Sequence, residues 1–443
     1  MWHAAMLWFS LNRDGRKRES PPTQGNMNLS DQISTFVDGA FPRETAFLAE
    51  LVKVASDNPP GDCAPHAVRA RTLLDCLGFA VETHAVPPEL AQAHGMKSAT
   101  NLIVRHRFGD GPTLALNAHG DVVPPGLGWT HDPYGAEIAD GPHGSVMFGR
   151  GVAVSKSDFA TYAFALLALK DAARAGAKLS GTIELHFTYD EEAGGEIGPK
   201  FLLDHGLTRP DFVIAAGFSY AIVNAHNGCL HLEVTVTGKQ AHAAMPQTGI
   251  DALAAATGIL QALYASRPAL STVHSRVAGI TSPTLNVGLI SGGINTNVVP
   301  DRVTFRLDRR MIPEEKPDDV EAGLRQLIAG AAAAYPGVRV EIKQILLATP
   351  LVPQPGWERL AKAIGRSAST VLGVEVPVNG VPLYTDARHY AARGIPSVLY
   401  GAGPRTLLEA NAHNADENLR LSDLWAATKI VALAAAEICG SER

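Results

Sequence analysis

Short apolar runs alternate with longer helical stretches over much of this chain, and this alternation limits its fold more than any other feature of the sequence. One helical stretch, FATYAFALLALKDAARAG, ends at Gly176, which is placed to cap it. Four runs have the length and apolar content of buried strands: TNLIVRH, TLALNAHGDVV, GTIELHFTYDEE and DFVIAAG. Strands that alternate with helices predict an α/β domain whose largely parallel sheet is covered on both faces.

The pattern changes after Asn227. The segment CLHLEVTVTGK alternates apolar and polar residues, which is typical of an antiparallel strand with one solvated face. A helix over 251–266, two strands, a helix over 318–334 and a last strand follow it. This β-α-β-β-α-β order predicts a small α+β sandwich inserted into the α/β domain.

We therefore predict four segments. Residues 1–30 form a disordered N-terminal extension, and residues 31–227 form the first part of the α/β domain. Residues 228–345 form the inserted domain, and residues 346–443 complete the α/β domain. In the extension an apolar run precedes the positive cluster RDGRKR, whereas a secretory signal carries its charge first.

The amino-acid composition indicates which binding partners and which cellular compartment to expect. A net charge of -6 provides no electrostatic attraction to nucleic acid or to an anionic membrane, so we expect neither as a partner. No run beyond the extension is long and apolar enough to span a bilayer. The four cysteines form no CxxC pair and are typical of a reducing compartment, so we expect a cytoplasmic protein.

Two groups of polar residues stand where predicted strands end. His119 and Asp121 end one strand, and their spacing of two places both side chains on one face. The histidine is suited to bind a metal while the aspartate orients it. The same pair also fits a strand-end histidine that a turn aspartate merely holds. The residues alone leave both interpretations open.

Glu191 and Glu192 end another strand. Neighbouring carboxylates of this kind can divide the work of hydrolysis, one binding a cation while the other takes a proton from water. An exposed acidic loop is the alternative interpretation. A third candidate, His413, lies near the C-terminal helix, and a single histidine there is more often structural.

Six short motifs follow one another along the chain: HxD after a strand, GRGxxxxK, DEExGG, GxxAH, GGxxxNVVPD and a late AHxxxE. Their order resembles that of the zinc-dependent amidohydrolases and exopeptidases, which include acetylornithine deacetylase, succinyl-diaminopimelate desuccinylase, aminoacylase and carboxypeptidase G. The resemblance extends over nearly the whole chain. It implies a zinc-exopeptidase-like catalytic α/β domain, and it makes the inserted sandwich a dimerisation domain.

The resemblance also implies roles at the metal site. His119 would bind one metal and Asp121 would orient it from behind. Glu191 matches the general base of the family. Glu192 and His413 match the ligands of a second metal.

Three further residues acquire a role from the resemblance. His242 matches the histidine that the dimerisation domain of one subunit contributes to the active site of the other, so a homodimer is expected. Asn297 matches an asparagine that contacts the substrate. Arg310 matches an arginine that binds a substrate carboxylate, a task that suits a bidentate guanidinium. The neighbouring Arg309 leaves this register open.

Two expected metal ligands are missing from the sequence. With Lys156 as the anchor of the glycine turn, Val154 stands where the family has an aspartate that bridges two metals. A second carboxylate is also missing, because no Asp or Glu occurs between Asp211 and Glu233. Two zinc ions beside Glu192 alone would leave uncompensated charge in a partly buried pocket. The residues therefore favour one zinc ion over two.

Asp158 is the carboxylate nearest to the altered turn, and it is the first candidate to replace the bridge from a shifted position. It also stands where a helix begins, and acidic residues favour that place without any ligand role. The pattern favours this second interpretation. His226 and Tyr220 are weaker candidates for the same replacement.

These features predict a metal-dependent hydrolase that cleaves the amide, N-acyl or peptide bond of a small carboxylate-bearing substrate. The alternative is a pseudo-hydrolase that binds a small amino-acid derivative without cleaving it, which the two missing ligands favour. A narrower alternative keeps catalysis at a site with one metal but changes its chemistry.

Overall fold

A computed structural model describes residues 27–440. Residues 1–26, which make up most of the predicted disordered extension, lie outside the described residues. Leu29 and Ser30, at the end of that segment, already belong to the first helix. Asn28 caps this helix, because its side chain accepts a hydrogen bond from the Asp31 amide.

The described part of the chain forms ten α-helices and fifteen strands, with two short 3-10 turns at Glu191–Ala193 and Pro246–Thr248. The helices are α1 (Leu29–Val52), α2 (Ala64–Cys76), α3 (Pro88–Ala93), α4 (Lys156–Arg174), α5 (Pro199–Asp204), α6 (Ala252–Ser271), α7 (Pro317–Ala332), α8 (Trp357–Leu372), α9 (Ala387–Ala391) and α10 (Leu421–Cys439). The strands are β1 (Val81–Ala85), β2 (Thr100–Arg107), β3 (Thr113–His119), β4 (Glu137–Gly141), β5 (Gly144–Phe148), β6 (Thr182–Thr188), β7 (Phe212–Ala215), β8 (Ile222–His226), β9 (Gly228–Thr237), β10 (Thr284–Gly292), β11 (Arg302–Met311), β12 (Arg339–Ala348), β13 (Val378–Val381), β14 (Ser397–Leu399) and β15 (Asn418–Arg420).

Eight strands form the large sheet of the α/β domain, in the order β1-β2-β6-β3-β7-β14-β8-β13. Its centre is parallel, but β1 pairs antiparallel with β2, β2 with β6, and β14 with β8. The expected largely parallel sheet is therefore a mixed sheet. Residues 108–112 join β2 to β3, and so short a connection reverses the chain because a parallel crossover needs a dozen or more residues.

Helices cover both faces of this sheet. Leu114 and Leu116 of β3 belong to the core that α1, α4 and α10 build on one face. Ala115, between them, belongs to the smaller core on the other face, together with Tyr390 of α9. The alternation along one strand thus shows that both faces are buried, as expected for a sheet of this class.

The inserted domain has the predicted order, namely β9, α6, β10, β11, α7 and β12. Its four strands are antiparallel, in the order β10-β11-β9-β12. Leu230, Leu232 and Val234 of β9 face the helices in a core of their own. Cys229 and His231 alternate with them and therefore lie on the face that the two helices leave open.

A three-stranded sheet, β15-β5-β4, was not predicted from the sequence. It pairs Asn418 with Phe148 and thereby brings the segment after His413 beside the glycine turn that follows β5. Among residues 27–440, no helix is long and apolar enough to cross a membrane. All four cysteines are free thiols.

Glu44 is a buried carboxyl in the core between α1 and α10. Thr428 donates a hydrogen bond to it, and Glu44 Oε2 has no hydrogen-bond partner among the described residues. Burial raises the pKa of Glu44 from 4.5 to about 8, and the hydrogen bond offsets only part of this rise. Between these two pKa values the folded protein keeps the proton and the unfolded chain loses it, so stability falls as pH rises.

We expect Glu44→Gln to remove this linkage while keeping an acceptor for Thr428. Its free energy of unfolding should exceed that of the wild type by about 1–3 kcal/mol near pH 8, and the two should agree within about 0.5 kcal/mol near pH 4. Urea denaturation at both pH values measures the difference. Glu375→Gln, at an exposed position, should show no pH-dependent gain. An equal effect of Glu44→Gln at both pH values would contradict the assignment.

Candidate active site and metal centre

The candidate site lies at the carboxyl ends of two neighbouring parallel strands. His119 is the last residue of β3 and pairs in register with Thr188, the last residue of β6. Glu191 and Glu192 follow β6 directly, so they reach the same edge of the sheet as the histidine. His119 Nε2 lies 3.9 Å from Glu191 Oε2.

Asp121 is fully buried and organises this edge. Its Oδ1 accepts hydrogen bonds from the Asp190 and Glu191 amides at 3.0 and 3.2 Å. Its Oδ2 accepts one from the Glu192 amide at 3.1 Å and one from Asn58 Nδ2 at 3.0 Å. The loop that carries both glutamates is thereby tied to the end of β3.

Asp121 also faces the imidazole of His119. His119 Nδ1 lies 3.0 Å from the backbone oxygen of Asp121 and 3.5 Å from Oδ1. Burial would raise the pKa of Asp121, but the hydrogen bond and charge of His119 outweigh it and lower the pKa. With Nδ1 held in this way, Nε2 is the nitrogen that faces the glutamates. The orienting role of Asp121 stays a prediction, and this geometry is compatible with it.

Four of the predicted site residues come together here. Ligand atoms of His119, Glu191 and Glu192 all lie within 4.8 Å of one another. His413 Nε2 lies 3.4 Å from Glu192 Oε1. His413 is held in the left-handed region at φ 63, an uncommon conformation for a residue with a side chain.

The chemistry of this donor set fits a divalent metal ion. Burial raises the pKa of Glu191 well above its usual value, the charge of His119 lowers it in part, and the charge of Glu192 raises it further. The imidazole of His119 and the carboxylates of Glu191 and Glu192 form the close cluster, and His413 contacts it through Glu192. Imidazole and carboxylate groups are common zinc ligands. A cation among them would compensate the buried negative charge.

Val154 lies in the wall of the same cavity, just before α4, and contributes only an apolar surface there. Asp158 is also in this wall and is buried. Its Oδ1 accepts a hydrogen bond from the Ala402 amide at 2.7 Å. Burial raises the pKa of Asp158 to about 7, and the Ala402 and Gly217 amides lower it in part. Asp158 is thus a first-turn acid whose carboxylate is turned to backbone amides across the site.

Sequence reasoning missed Asp386, a buried carboxylate in the cavity wall. It follows β13, and burial raises its pKa to about 7. The signal that identified the other acidic candidates was their position at the end of a predicted strand. The short β13 was not predicted, so this signal was missing for Asp386.

Glu417 was also missed, although it closes the motif AHxxxE. Its Oε2 accepts hydrogen bonds from Arg150 Nη1 at 2.7 Å and from the Gly151 amide at 3.1 Å. Its Oε1 accepts from the Ala153 and Val154 amides at 3.0 and 3.1 Å. The side chains of Arg150 and Glu417 are each 1% exposed. Glu417 therefore holds the glycine turn in shape even though the turn has lost its carboxylate.

A cavity of about 500 Å³ is lined by the candidate metal ligands and also by the inserted domain, which contributes His231 and Arg310. Arg310 donates to Asp308 from Nε at 3.0 Å and from Nη2 at 3.1 Å. Arg309 is instead buried and paired with Glu315. The structure therefore places Arg310, and not its neighbour, in the cavity.

The part of the cavity lining that the inserted domain contributes is cationic. Hydrogen bonds with Asp308 and Cys229 raise the pKa of His231 to about 9, although burial lowers it in part. His231 and Arg310 share one counter-charge, Asp308, so a single positive charge remains at neutral pH. Such a wall suits an anionic group of a substrate.

Two predicted residues do not reach this cavity. His242 and Asn297 are both exposed on the inserted domain and do not line the cavity of their own chain. The two residues lie on neighbouring segments, because the backbone amide of Ala243, the residue after His242, donates a hydrogen bond to the backbone oxygen of Asn297 at 3.0 Å.

The family model described as peptidase family M20/M25/M40 matches residues 115–437. The chain belongs to this family. Membership confirms the resemblance stated above and assigns the protein to the hydrolases of amide and peptide bonds, a metal-dependent family.

Relatives and solved structures agree with this assignment. A succinyl-diaminopimelate desuccinylase of Acidiphilium cryptum is 29% identical over 390 residues, which cover 86% of this chain and 94% of the relative. A dipeptidase of Saccharomyces cerevisiae has the same fold, with a TM-score of 0.74, 14% identity, and coverage of 94% of this chain and 99% of that one. A dinuclear metal-binding M20 peptidase of Bacillus subtilis has a TM-score of 0.64 and 18% identity, with coverage of 91% and 99%. The predicted catalytic domain with an inserted α+β domain is confirmed.

The variant Glu417→Gln tests whether Glu417 holds the glycine turn. All four contacts of Glu417 are hydrogen-bond donors, so the NH₂ group of a glutamine would face donors and could not accept from them. Arg150 would also lose its buried counter-charge. We expect a loss of about 3–5 kcal/mol in the free energy of unfolding, measured in urea. In Glu437→Gln, which breaks an exposed pair with Arg366, the loss should stay within about 1 kcal/mol. Equal losses in the two variants would show that Glu417 does not hold the turn.

Proposed function

We propose that this protein is a zinc-dependent hydrolase that cleaves an N-acyl or peptide bond in a small carboxylate-bearing substrate. One observation carries the proposal: His119, Glu191, Glu192 and His413 line the same cavity as Arg310. The first four are the groups that hydrolysis needs, and the arginine is a group that recognises a carboxylate.

One zinc ion is proposed, held by His119, Glu192 and His413. Two imidazoles and one carboxylate are sufficient for hydrolytic zinc chemistry. Bound there, the ion would supply a Lewis acid for the carbonyl oxygen of the scissile bond. The apolar surface of Val154 and the use of Asp158 Oδ1 by Ala402 both support a single ion.

Glu191 is proposed as the general base. Its raised pKa suits a group that takes a proton from the attacking water and then donates it to the leaving nitrogen. Its backbone is held by Asp121, so the carboxylate needs little reorganisation during the reaction. Glu191 thus holds the proton at one oxygen between the two steps.

Arg310 is proposed to bind the substrate carboxylate. Asp308 holds its guanidinium from one side, which fixes the arginine in the cavity before the substrate arrives. A cavity of about 500 Å³ favours small substrates. The predicted cytoplasmic location belongs to this proposal as well, and the four free thiols are consistent with it.

A homodimer through the inserted domain is part of the proposal. Strand β10 is an edge of its sheet, and on this strand and the turn after it Leu289, Ile290 and Ile294 are 61%, 56% and 70% exposed. Exposed edge strands with apolar side chains are normally covered. Contact between two such domains would allow His242 of one subunit to act in the cavity of the other, where it would stabilise the developing oxyanion.

A pseudo-hydrolase remains the second candidate, and Val154 in the cavity wall is the observation that favours it. It predicts binding of an N-acyl amino acid without turnover, even after zinc is supplied. Hydrolysis of any N-acyl amino acid or dipeptide by the zinc-supplemented wild type would eliminate it.

Glu191→Gln tests the proposed base. Loss of a general base should lower kcat by about 10²–10⁴-fold while the bound zinc is retained, because the proposed ligands are unchanged. Substrate turnover and metal analysis of the same preparation check this. Glu196→Gln, in the same loop but outside the cavity wall, should keep kcat near that of the wild type. Full activity in Glu191→Gln would remove Glu191 from the mechanism.

The trans role of His242 is tested by mixing two inactive variants, Glu191→Gln and His242→Ala. In a mixed dimer, the site on the His242→Ala chain has an intact Glu191 and receives an intact His242 from its partner. Co-expression should therefore restore about a quarter of the wild-type activity, since half of the dimers are mixed and each has one intact site of two. No recovery in dimers shown to be mixed would place His242 in its own chain's site or outside catalysis.

A further inference from the structure

A second group of metal-ligand side chains lies on the open face of the inserted sheet. Cys229 and His231 are two apart on β9, and Asp308 stands directly opposite His231 on β11. All three side chains therefore emerge on the same side of the sheet. Cys229 Sγ lies 3.2 Å from His231 Nε2, which lies 3.1 Å from Asp308 Oδ2. Cys229 Sγ lies 3.9 Å from Asp308 Oδ1.

The three side chains are close enough to share one ion, because one ligand atom of each lies within 4.8 Å of the other two. Zinc bonds of about 2.0–2.3 Å at tetrahedral angles place neighbouring nitrogen, oxygen and sulfur ligand atoms about 3.3–3.6 Å apart. The distances from His231 Nε2, 3.1 and 3.2 Å, are hydrogen-bond lengths just below this interval, and the distance from Cys229 Sγ to Asp308 Oδ1, 3.9 Å, lies just above it. A sulfur, an imidazole nitrogen and a carboxylate oxygen are also a donor set that selects zinc over magnesium or calcium.

Arg310 shares the carboxylate of Asp308, and this is compatible with an ion. An ionised carboxylate has about four acceptor positions, and Arg310 takes those on one side. A ligating carboxylate is commonly hydrogen-bonded by a further group, which fixes its orientation. Further along the same face Glu233 forms an ion pair with Arg306 at 2.8 Å, and Thr235 pairs with Thr304 at 3.3 Å.

We propose that Cys229, His231 and Asp308 bind a thiophilic divalent cation such as Zn²⁺. This cation is separate from the ion proposed for the catalytic wall, which is the part of the cavity lining formed by His119, Glu191, Glu192 and His413. Three protein ligands leave a fourth position. Because His231 lines the cavity, the ion would lie beside the cavity wall that the inserted domain contributes. The site goes beyond the proposed hydrolase function and does not depend on it.

Cobalt provides a direct test, because a Co²⁺–thiolate bond produces a charge-transfer absorption band in the near ultraviolet. The full-length protein is exchanged into Co²⁺, and the spectrum is recorded during titration. The wild type should show the band, and Cys229→Ser should lose it. Cys76→Ser, which removes the exposed cysteine at the end of α2, is the matched control and should keep it. None of the proposed catalytic ligands contains sulfur, so the band does not report on an ion bound by them.

His231→Gln serves as a second variant in case Cys229→Ser does not fold, which circular dichroism would reveal. It keeps the thiol but removes one ligand, so half-saturation of the band should need at least about tenfold more Co²⁺. Two results would overturn the proposal: no thiolate band in the wild type at saturating Co²⁺, or an unchanged band in Cys229→Ser. Failure of this test leaves hydrolysis and its dependence on Glu191 unaffected, so the two proposals stand or fall separately.

Discussion

The carboxylate of Asp121 accepts hydrogen bonds from the backbone amides of residues 190–192 and from Asn58, and it faces Nδ1 of His119. Its position at the end of β3 joins two strand ends that would otherwise be independent loops. An unpaired carboxylate at this depth would be costly, and here each oxygen has two donors. Everything proposed for the catalytic wall depends on this interaction, because it determines where the base and the histidine ligand point.

A second buried carboxylate, that of Glu417, likewise holds a loop in place through hydrogen bonds to its backbone amides. Glu417 gathers the amides of the glycine turn and the guanidinium of Arg150, and it comes from a segment more than 260 residues away along the chain. The turn therefore keeps its shape although Val154 contributes no ligand. The shape of the turn depends on Glu417 and not on the side chain at position 154. This explains how that side chain can differ from a metal ligand while the glycine motif around it remains recognisable.

The parts of the site that the sequence predicted are those that depend on local geometry. His119 and Glu191 were found because both follow apolar strands, and parallel strands bring their carboxyl ends to one edge. The open face of β9 was likewise visible as an alternation of residues. Local patterns of this kind survive because the period of a strand or helix is encoded residue by residue.

The parts that were not predicted depend on contacts between distant segments. Asp386 follows a strand of four residues whose pairing with β8 decides that it is a strand at all. The sheet that brings Glu417 to the turn joins β15 to β5, and these strands are only three and five residues long. The antiparallel pairs in the large sheet follow from connection lengths and neighbours, which composition does not reveal.

The central claim is that the altered turn leaves a catalytic wall with one metal ion. Anomalous diffraction at the zinc edge, from crystals of protein purified without added zinc, locates each ion directly. The account predicts one peak on this wall, within bonding distance of His119, Glu192 and His413. Two peaks there would contradict it, because a second ion would need ligands that Val154 cannot provide. The absence of any peak among these three residues after zinc is supplied would contradict it as well.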